Sequence, residues 1–143
     1  MDKFNNRFNI LAIRDYYPSY QNPTNSTWVF HQVKDLQERG FIPLVLAPLP
    51  YIPLRRLWNL NSKYEKPCKD IDNYENTTVI RPGYIKIPYN KLTWFTLKQL
   101  EKVIFKYGNI KSLELIHAHF GQNGIAAIKL KKELKIIQNL FNV

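Results

Sequence analysis

The sequence predicts an α/β protein with a doubly wound parallel sheet, folded as one domain over residues 1–143. Short apolar segments of strand length alternate with segments whose apolar residues recur every three to four positions, which is the spacing of a helix. This alternation is typical of βαβ units, whose strands lie parallel. A chain of 143 residues that is 45% hydrophobic is large enough for one folded domain and too small for two full ones.

Four strands and three helices are predicted in chain order. The strands are the apolar runs at 8–13, 41–47, 77–81 and 113–117. The first helix begins after Thr24, Asn25 or Ser26, residue types that cap helix N-termini, and it ends at Arg39-Gly40. The second helix is expected from residue 90 to about Gly108, and the third from about Gly121 to Leu134. The predicted helices therefore alternate with strands along most of the chain. Because doubly wound sheets reverse their strand order beside the first strand, we expect the strand at 8–13 to be central, flanked by the strands at 41–47 and 113–117.

Between the second and third predicted strands the sequence indicates little regular structure. Prolines crowd residues 48–53, so we expect this segment to break the pattern, with a short helix at 54–60. Residues 59–76 are rich in Lys, Asp and Asn and are predicted to form a surface excursion. This excursion holds Cys68, and a single cysteine excludes an internal disulfide framework.

Apolar segments that could target the chain to a membrane or export it are short. The longest, residues 42–54, is shorter than the ~20 residues that span a bilayer and contains four prolines. The run at 8–13 is too short for the apolar region of a signal peptide. Together with the single cysteine, these features predict a cytoplasmic protein.

The net charge of +10 is concentrated in the C-terminal part, where residues 91–143 hold nine lysines against three glutamates. Lys98, Lys102 and Lys106 recur every four positions and so share one helix face. This stripe predicts either a solvated face or peripheral contact with an anionic membrane, here the inner membrane face. Nucleic acid is the weaker partner, because the basic residues are mostly lysines and no recognition module is present.

The segment from Leu113 to Gly121 is the strongest functional signal, because an apolar strand runs directly into His117, Ala118 and His119. Ligands of open parallel sheets bind beyond the carboxyl ends of the strands. Two residues apart on an extended backbone, the two histidines point to the same side. We expect His117 to be hydrogen-bonded beneath the loops and His119, nearer the tip, to contact a ligand. No local carboxylate or cysteine completes a metal site, so none is predicted.

Several short motifs follow one another along the chain. They are Tyr17-Pro18, Asn22-Pro23, Val29 with Gln32-Val33, Arg39-Gly40, Ala47-Pro48, Arg81-Pro82-Gly83-Tyr84 with Pro88, His117-Ala118-His119 with the apolar residues before it, and Gly124-Ile125-Ala126-Ala127. In order and spacing they resemble the N-terminal domain of GT-B-class glycosyltransferases. The specific resemblance is to the glycogen-synthase-like retaining group, whose N-terminal domain is called subfamily-four-like. It covers nearly the whole chain.

The resemblance implies a Rossmann-like domain that forms one half of a GT-B fold. It implies binding of a sugar or lipid-linked acceptor, in the synthesis of a surface polysaccharide or glycolipid. In such hexosyltransferases a second, C-terminal domain holds the nucleotide-sugar donor and a pair of catalytic glutamates. The resemblance therefore implies that the chain by itself is an inactive, truncated part, with no catalytic residue and no resident cofactor or metal. The alternative is a free-standing basic α/β module that docks on anionic lipid or nucleic acid.

The resemblance also implies a substrate cleft bounded by residues 22–27, 81–84 and 117–122. The substrate-binding residues expected there are Ser26, Thr27, Arg81, Tyr84, His119 and Gln122. Ser26 stands where relatives commonly place a glycine, and Phe41 stands where they have a polar residue. Capping of the first helix is the alternative role for Ser26 and Thr27, and closing of the third strand is the alternative for Arg81. The tail at 135–143 differs from the strand that the relatives have there. A frameshift, a premature stop or a chosen boundary would each produce such a difference.

Overall fold

The computed structural model describes residues 8–52, 71–86, 93–108, 110–119 and 121–134. These residues form seven strands and three helices, so the protein is of the α/β class. In chain order the elements are β1 (Ile10–Ile13), α1 (Thr27–Glu38), β2 (Pro43–Leu46), β3 (Leu49–Tyr51), β4 (Ile71–Tyr74), β5 (Thr77–Ile80), β6 (Gly83–Ile85), α2 (Thr93–Gly108), β7 (Leu115–Ala118) and α3 (Gly121–Leu134).

Five strands form a mixed, mostly parallel sheet in the order β4-β5-β2-β1-β7. Strands β1, β2, β5 and β7 are parallel, and Ile10 is in register with both Pro43 of β2 and Leu115 of β7. The prediction that the first strand lies inside the sheet between the second and the last predicted strands is confirmed. The middle of the five positions belongs to β2.

Strand β4 runs antiparallel to β5, so the prediction of a purely parallel sheet is wrong. Residues 71–74, expected within a surface excursion, form a mostly exposed strand. The two strands are joined by Glu75 and Asn76, which both have left-handed backbones, with φ of 47° and 64°. Two consecutive left-handed residues make the tight hairpin turn that suits the twist of paired strands. The segment was missed because β4 lies at the sheet edge, and its exposed, polar residues lack the apolar pattern of a buried strand.

Strands β3 and β6 form a second, two-stranded parallel sheet, so residues 49–51 are regular where the prolines predicted a break. Leu49 N donates to Pro82 O over 2.9 Å, and Tyr51 O accepts from Lys86 N over 2.9 Å. Pro50, between them, needs no N–H for this pairing, which is how a proline is tolerated in an edge strand. The predicted helix at 54–60 and the start of the second helix at residue 90 lie outside the described residues.

Helices cover both faces of the large sheet, and alternate strand residues supply a separate apolar cluster on each face. Leu11 and Ile13 of β1 pack with Leu100 and Ile104 of α2, and α3 joins this cluster. Ala12, which points the other way, packs towards α1. Burial on both faces explains why β1 and β2 read as continuous apolar runs. Among the described helices, none is long and apolar enough to cross a membrane.

Candidate functional site

The polar residues of interest collect at the carboxyl edge of the sheet between β1 and β7. The chain passes from β1 through α1 to β2 on one side, whereas β7 lies on the other side of β1. Such a reversal of strand order leaves a crevice between diverging loops, where ligands of open α/β sheets bind. We call this region the edge site. It comprises Arg14, Asp15, Ser26, Trp28, His117, His119 and Asn123.

His117 in β7 and His119 directly after it lie side by side, with ring centroids 4.2 Å apart. The prediction that the two side chains point to the same side is therefore confirmed. The two side chains differ in exposure. His119 is 7% exposed because the Trp28 ring covers it edge-on at 4.7 Å, whereas His117 is only partly buried. Helix α1 packs on β2, two strands away, and leaves the outer strand β7 less covered on this face.

His119 is held in its neutral form at physiological pH. Burial, and then repulsion from His117 and Arg14, lowers the pKa of His119 to about 4. Burial also lowers the pKa of His117. The Nε2 atom of His119 is buried and has no hydrogen-bond partner among the described residues. His119 therefore offers a buried, uncharged hydrogen-bonding atom, which can donate or accept according to its tautomer.

A cation and a carboxylate directly follow β1. Arg14 Nε donates to Ser26 Oγ over 2.9 Å, and the Arg14 guanidinium lies 5.4 Å from the centre of the Trp28 ring. Burial raises the pKa of Asp15, although the hydrogen bond from Asn123 and the charges of Arg14 and Lys86 oppose the rise. Arg14, Asp15 and Asn123 are not among the site residues predicted from the sequence. Charged residues directly after a buried strand are the signal that could have found the first two.

Ser26 occupies the N-cap of α1 in a left-handed conformation, with φ of 45° and ψ of 42°. Its side chain makes no capping hydrogen bond, so the capping alternative holds for its position but not for its hydroxyl. The hydroxyl instead accepts the hydrogen bond from Arg14. Residues other than glycine rarely adopt this backbone conformation, so Ser26 stores strain within the edge site. Thr27, the first residue of α1, is exposed.

Arg81 directly follows β5, three strands away from β7 in the sheet, and so lies away from the histidine pair. The Arg81 guanidinium is buried and donates to the carbonyls of Tyr17, over 2.8 Å, and of Pro18. Its Nε is 3.8 Å from a carboxylate oxygen of Asp72. Burial lowers the pKa of Arg81, and Asp72 opposes the shift. Arg81 therefore holds the loop after β1. This role is structural, as is the closing of the third strand, which is the alternative to substrate binding predicted for Arg81.

Of the six predicted substrate residues, four lie on segments that meet at the edge site. Ser26 is the N-cap of α1 and Thr27 is its first residue, His119 directly follows β7, and Gln122 is exposed in the first turn of α3 beside Asn123. Arg81 directly follows β5, which is three strand spacings, about 14 Å, from β7. Tyr84 is 5% exposed within the apolar cluster of α2 and α3.

The fold and the edge site define an α/β protein with a polar site at the carboxyl edge of a mostly parallel sheet. Within the described residues, no group of three or more His, Cys, Asp and Glu side chains is arranged to hold a metal ion. A comparison of the chain with models of protein families, with curated proteins and with solved structures gives no match.

Proposed function

We propose that the chain is the Rossmann-like, acceptor-side domain of a nucleotide-sugar-dependent glycosyltransferase of the GT-B class. The observation that carries the proposal is the histidine pair at the carboxyl end of β7, beside the reversal of strand order. The order of motifs along the chain supports the same class. On this proposal the domain forms one wall of the cleft, and a donor-binding domain forms the other.

The chemistry of His119 suits a sugar ligand. The Nε2 atom of this neutral imidazole is buried and has no partner among the described residues, so it can exchange a hydrogen bond with a hydroxyl group, and binding would relieve the cost of leaving it unpaired. An imidazole that stays uncharged above its lowered pKa contributes no positive charge to hold a phosphate. The domain would accordingly contribute positioning of the acceptor, which is a large part of catalysis in a two-substrate reaction.

The backbone at Ser26 gives independent support. The relatives commonly place a glycine in the loop before the first helix, and glycine is the residue that adopts a left-handed backbone without strain. Ser26 has such a backbone. On this proposal, Ser26 occupies the glycine position of the relatives, and its left-handed backbone suits that position. Its hydroxyl accepts the hydrogen bond from Arg14 within the edge site.

A chimera provides the test. The chain is fused in front of the donor-binding domain of a GT-B glycosyltransferase, and release of nucleoside diphosphate from a panel of nucleotide-sugars is measured with and without sugar acceptors. We expect acceptor-dependent release by the chimera and none by the unfused chain. His119→Ala should lower the chimera's rate at least about tenfold, since it removes a group that positions substrate.

His31→Ala is the matched control, because His31 is an exposed histidine on α1 outside the edge site. It should leave the rate unchanged. If an active chimera tolerates His119→Ala as well as His31→Ala, then His119 is structural and the site assignment is wrong. Sugar transfer by the unfused chain would contradict the proposal that this domain needs a partner domain.

A further inference from the structure

The two helical layers of the molecule differ in charge. Helix α1, on one face of the sheet, carries one lysine against Asp35 and Glu38 and is net −1 with histidine neutral. Helices α2 and α3, on the other face, carry six lysines against two glutamates and are net +4. Among the described helices, the excess of lysine therefore lies on one face of the sheet. A charge separation of this kind orients a protein towards an anionic surface.

On α2 the outward stripe is continuous and includes an aromatic residue. It consists of Trp94, Lys98, Lys102 and Lys106, all exposed. The opposite stripe is buried and consists of Thr96, Leu100, Ile104 and Gly108. Trp94 is 59% exposed, and Lys98 Nζ lies 5.6 Å from the centre of its ring. We call the outward stripe the α2 face.

The charges of the α2 face are available to a partner. None of its three lysines forms an ion pair with a described residue, and the one acid of α2, Glu101, is paired with Lys129 of α3. Helix α3, which packs beside α2, also exposes two apolar side chains, with Ile125 47% and Ile128 38% exposed. The cationic layer therefore also presents apolar groups to its surroundings.

We propose that the α2 face docks on an anionic lipid bilayer, with Trp94 at the level of the headgroups and the lysines against their negative charges. Tryptophan favours this interface because its ring is apolar and its N–H is polar, and lysine stems can lie along apolar surface while the ammonium groups reach charge. Single cations separated by a helical turn suit the diffuse charge of a lipid surface. The α2 face contains no arginine for bidentate contacts to a nucleic-acid backbone. The inference is independent of the proposed glycosyltransferase function.

Co-sedimentation of the full chain with vesicles tests the proposal. Phosphatidylcholine vesicles with and without phosphatidylglycerol are compared at low and at high salt. We expect binding to the anionic vesicles alone, weakened by high salt because salt screens exposed charges. Lys102→Gln with Lys106→Gln should lower the partition coefficient at least about tenfold, since each cation near an anionic surface contributes roughly fivefold.

The matched control is Lys34→Gln with Arg39→Gln, which removes the same charge from the α1 layer and should change binding less than about twofold by loss of net charge alone. Trp94→Ala should weaken binding several-fold without any change of charge. Circular dichroism checks that each variant is folded. Three results would each overturn the proposal. They are equal losses of binding in the two double variants, no binding to anionic vesicles, and displacement of the bound protein by duplex RNA at equal phosphate concentration.

Discussion

Asn123 joins Asp15 across the edge site. From the first turn of α3, Asn123 Nδ2 donates to Asp15 Oδ1 over 3.1 Å and also to the backbone oxygen of His119 over 3.0 Å. The side chain is 1% exposed, and its Oδ1 has no partner among the described residues. One amide therefore sets the position of the loop after β1 relative to the turn after β7, the two sides of the proposed substrate site.

Replacing this amide should destabilise the fold. Asn123→Ala leaves the half-buried Asp15 carboxyl and the His119 carbonyl each without this donor, and we expect a loss of about 1–3 kcal/mol in the free energy of unfolding. Urea denaturation followed by circular dichroism measures it. Gln122→Ala, at the exposed neighbouring position, should change stability by no more than about 0.5 kcal/mol. Equal effects of the two changes would mean that the two hydrogen bonds contribute nothing.

His119 should make stability depend on pH. The folded-state pKa is about 4, against about 6.5 in an unfolded chain, so between these values the unfolded state binds a proton that the folded state does not. The stability contributed by neutral His119 is complete above about pH 6.5 and is lost as the pH falls towards 4.

Two measurements check this dependence. The imidazole resonance of His119, assigned by its absence in His119→Phe, should titrate with a midpoint near 4. The free energy of unfolding of His119→Phe should fall less steeply with acidification than that of the parent. His117, whose pKa burial also lowers, remains in both proteins, so the difference between them reports His119 together with its repulsion from His117. A midpoint near the ordinary value of about 6.5 would contradict the prediction.

Two glycines should respond in opposite ways to substitution by alanine. A Cβ on Gly108 would lie 2.9 Å from Leu11 Cδ2 and 2.9 Å from Leu130 Cδ2, both on fully buried side chains. Gly108→Ala should therefore cost about 1–3 kcal/mol through overpacking. A Cβ on Gly124, inside α3, would meet nothing within 4 Å, so Gly124→Ala should stabilise by about 0.5–1 kcal/mol. Thermal unfolding distinguishes the two signs, and a gain at Gly108 would contradict the close packing of α2 against β1 and α3.

Arg81 should matter for stability far more than an exposed arginine does. Arg81→Met leaves the buried carbonyls of Tyr17 and Pro18 without their donor and removes the partner of Asp72, so we expect a loss of about 3 kcal/mol. Arg39→Met is the control, since Arg39 and Asp35 form an exposed pair worth about 0.3–0.5 kcal/mol. Urea denaturation of both variants gives the comparison. If the loss of stability at Arg81 is small, the two carbonyls do not need its guanidinium, and this side chain is available to a ligand, as the sequence predicts.

The elements that were predicted well depend on local patterns. The first strand is a continuous apolar run because it is buried on both faces, and its neighbours β2 and β7 follow from the reversal of strand order. Helix α3 begins at Gly121 and ends at Leu134, at the predicted bounds, because residues three and four apart supply its buried side. The edge strands β3 and β4 were missed because their pairing depends on partners elsewhere in the chain.

The sequence by itself determined the α/β class, the interior position of β1 and the presence of two histidines on one side of β7. These properties follow from periodicities within short segments and from the order of those segments. Only the tertiary structure decided which polar groups are buried. His119 is less exposed than His117, and the Trp28 ring of α1 lies against it. Arg81 is buried and donates to the carbonyl of Tyr17, 64 residues earlier in the chain. Contacts between residues so far apart in the sequence determine the pKa values and decide which polar atoms have a hydrogen-bond partner. A local sequence pattern contains no information on these contacts.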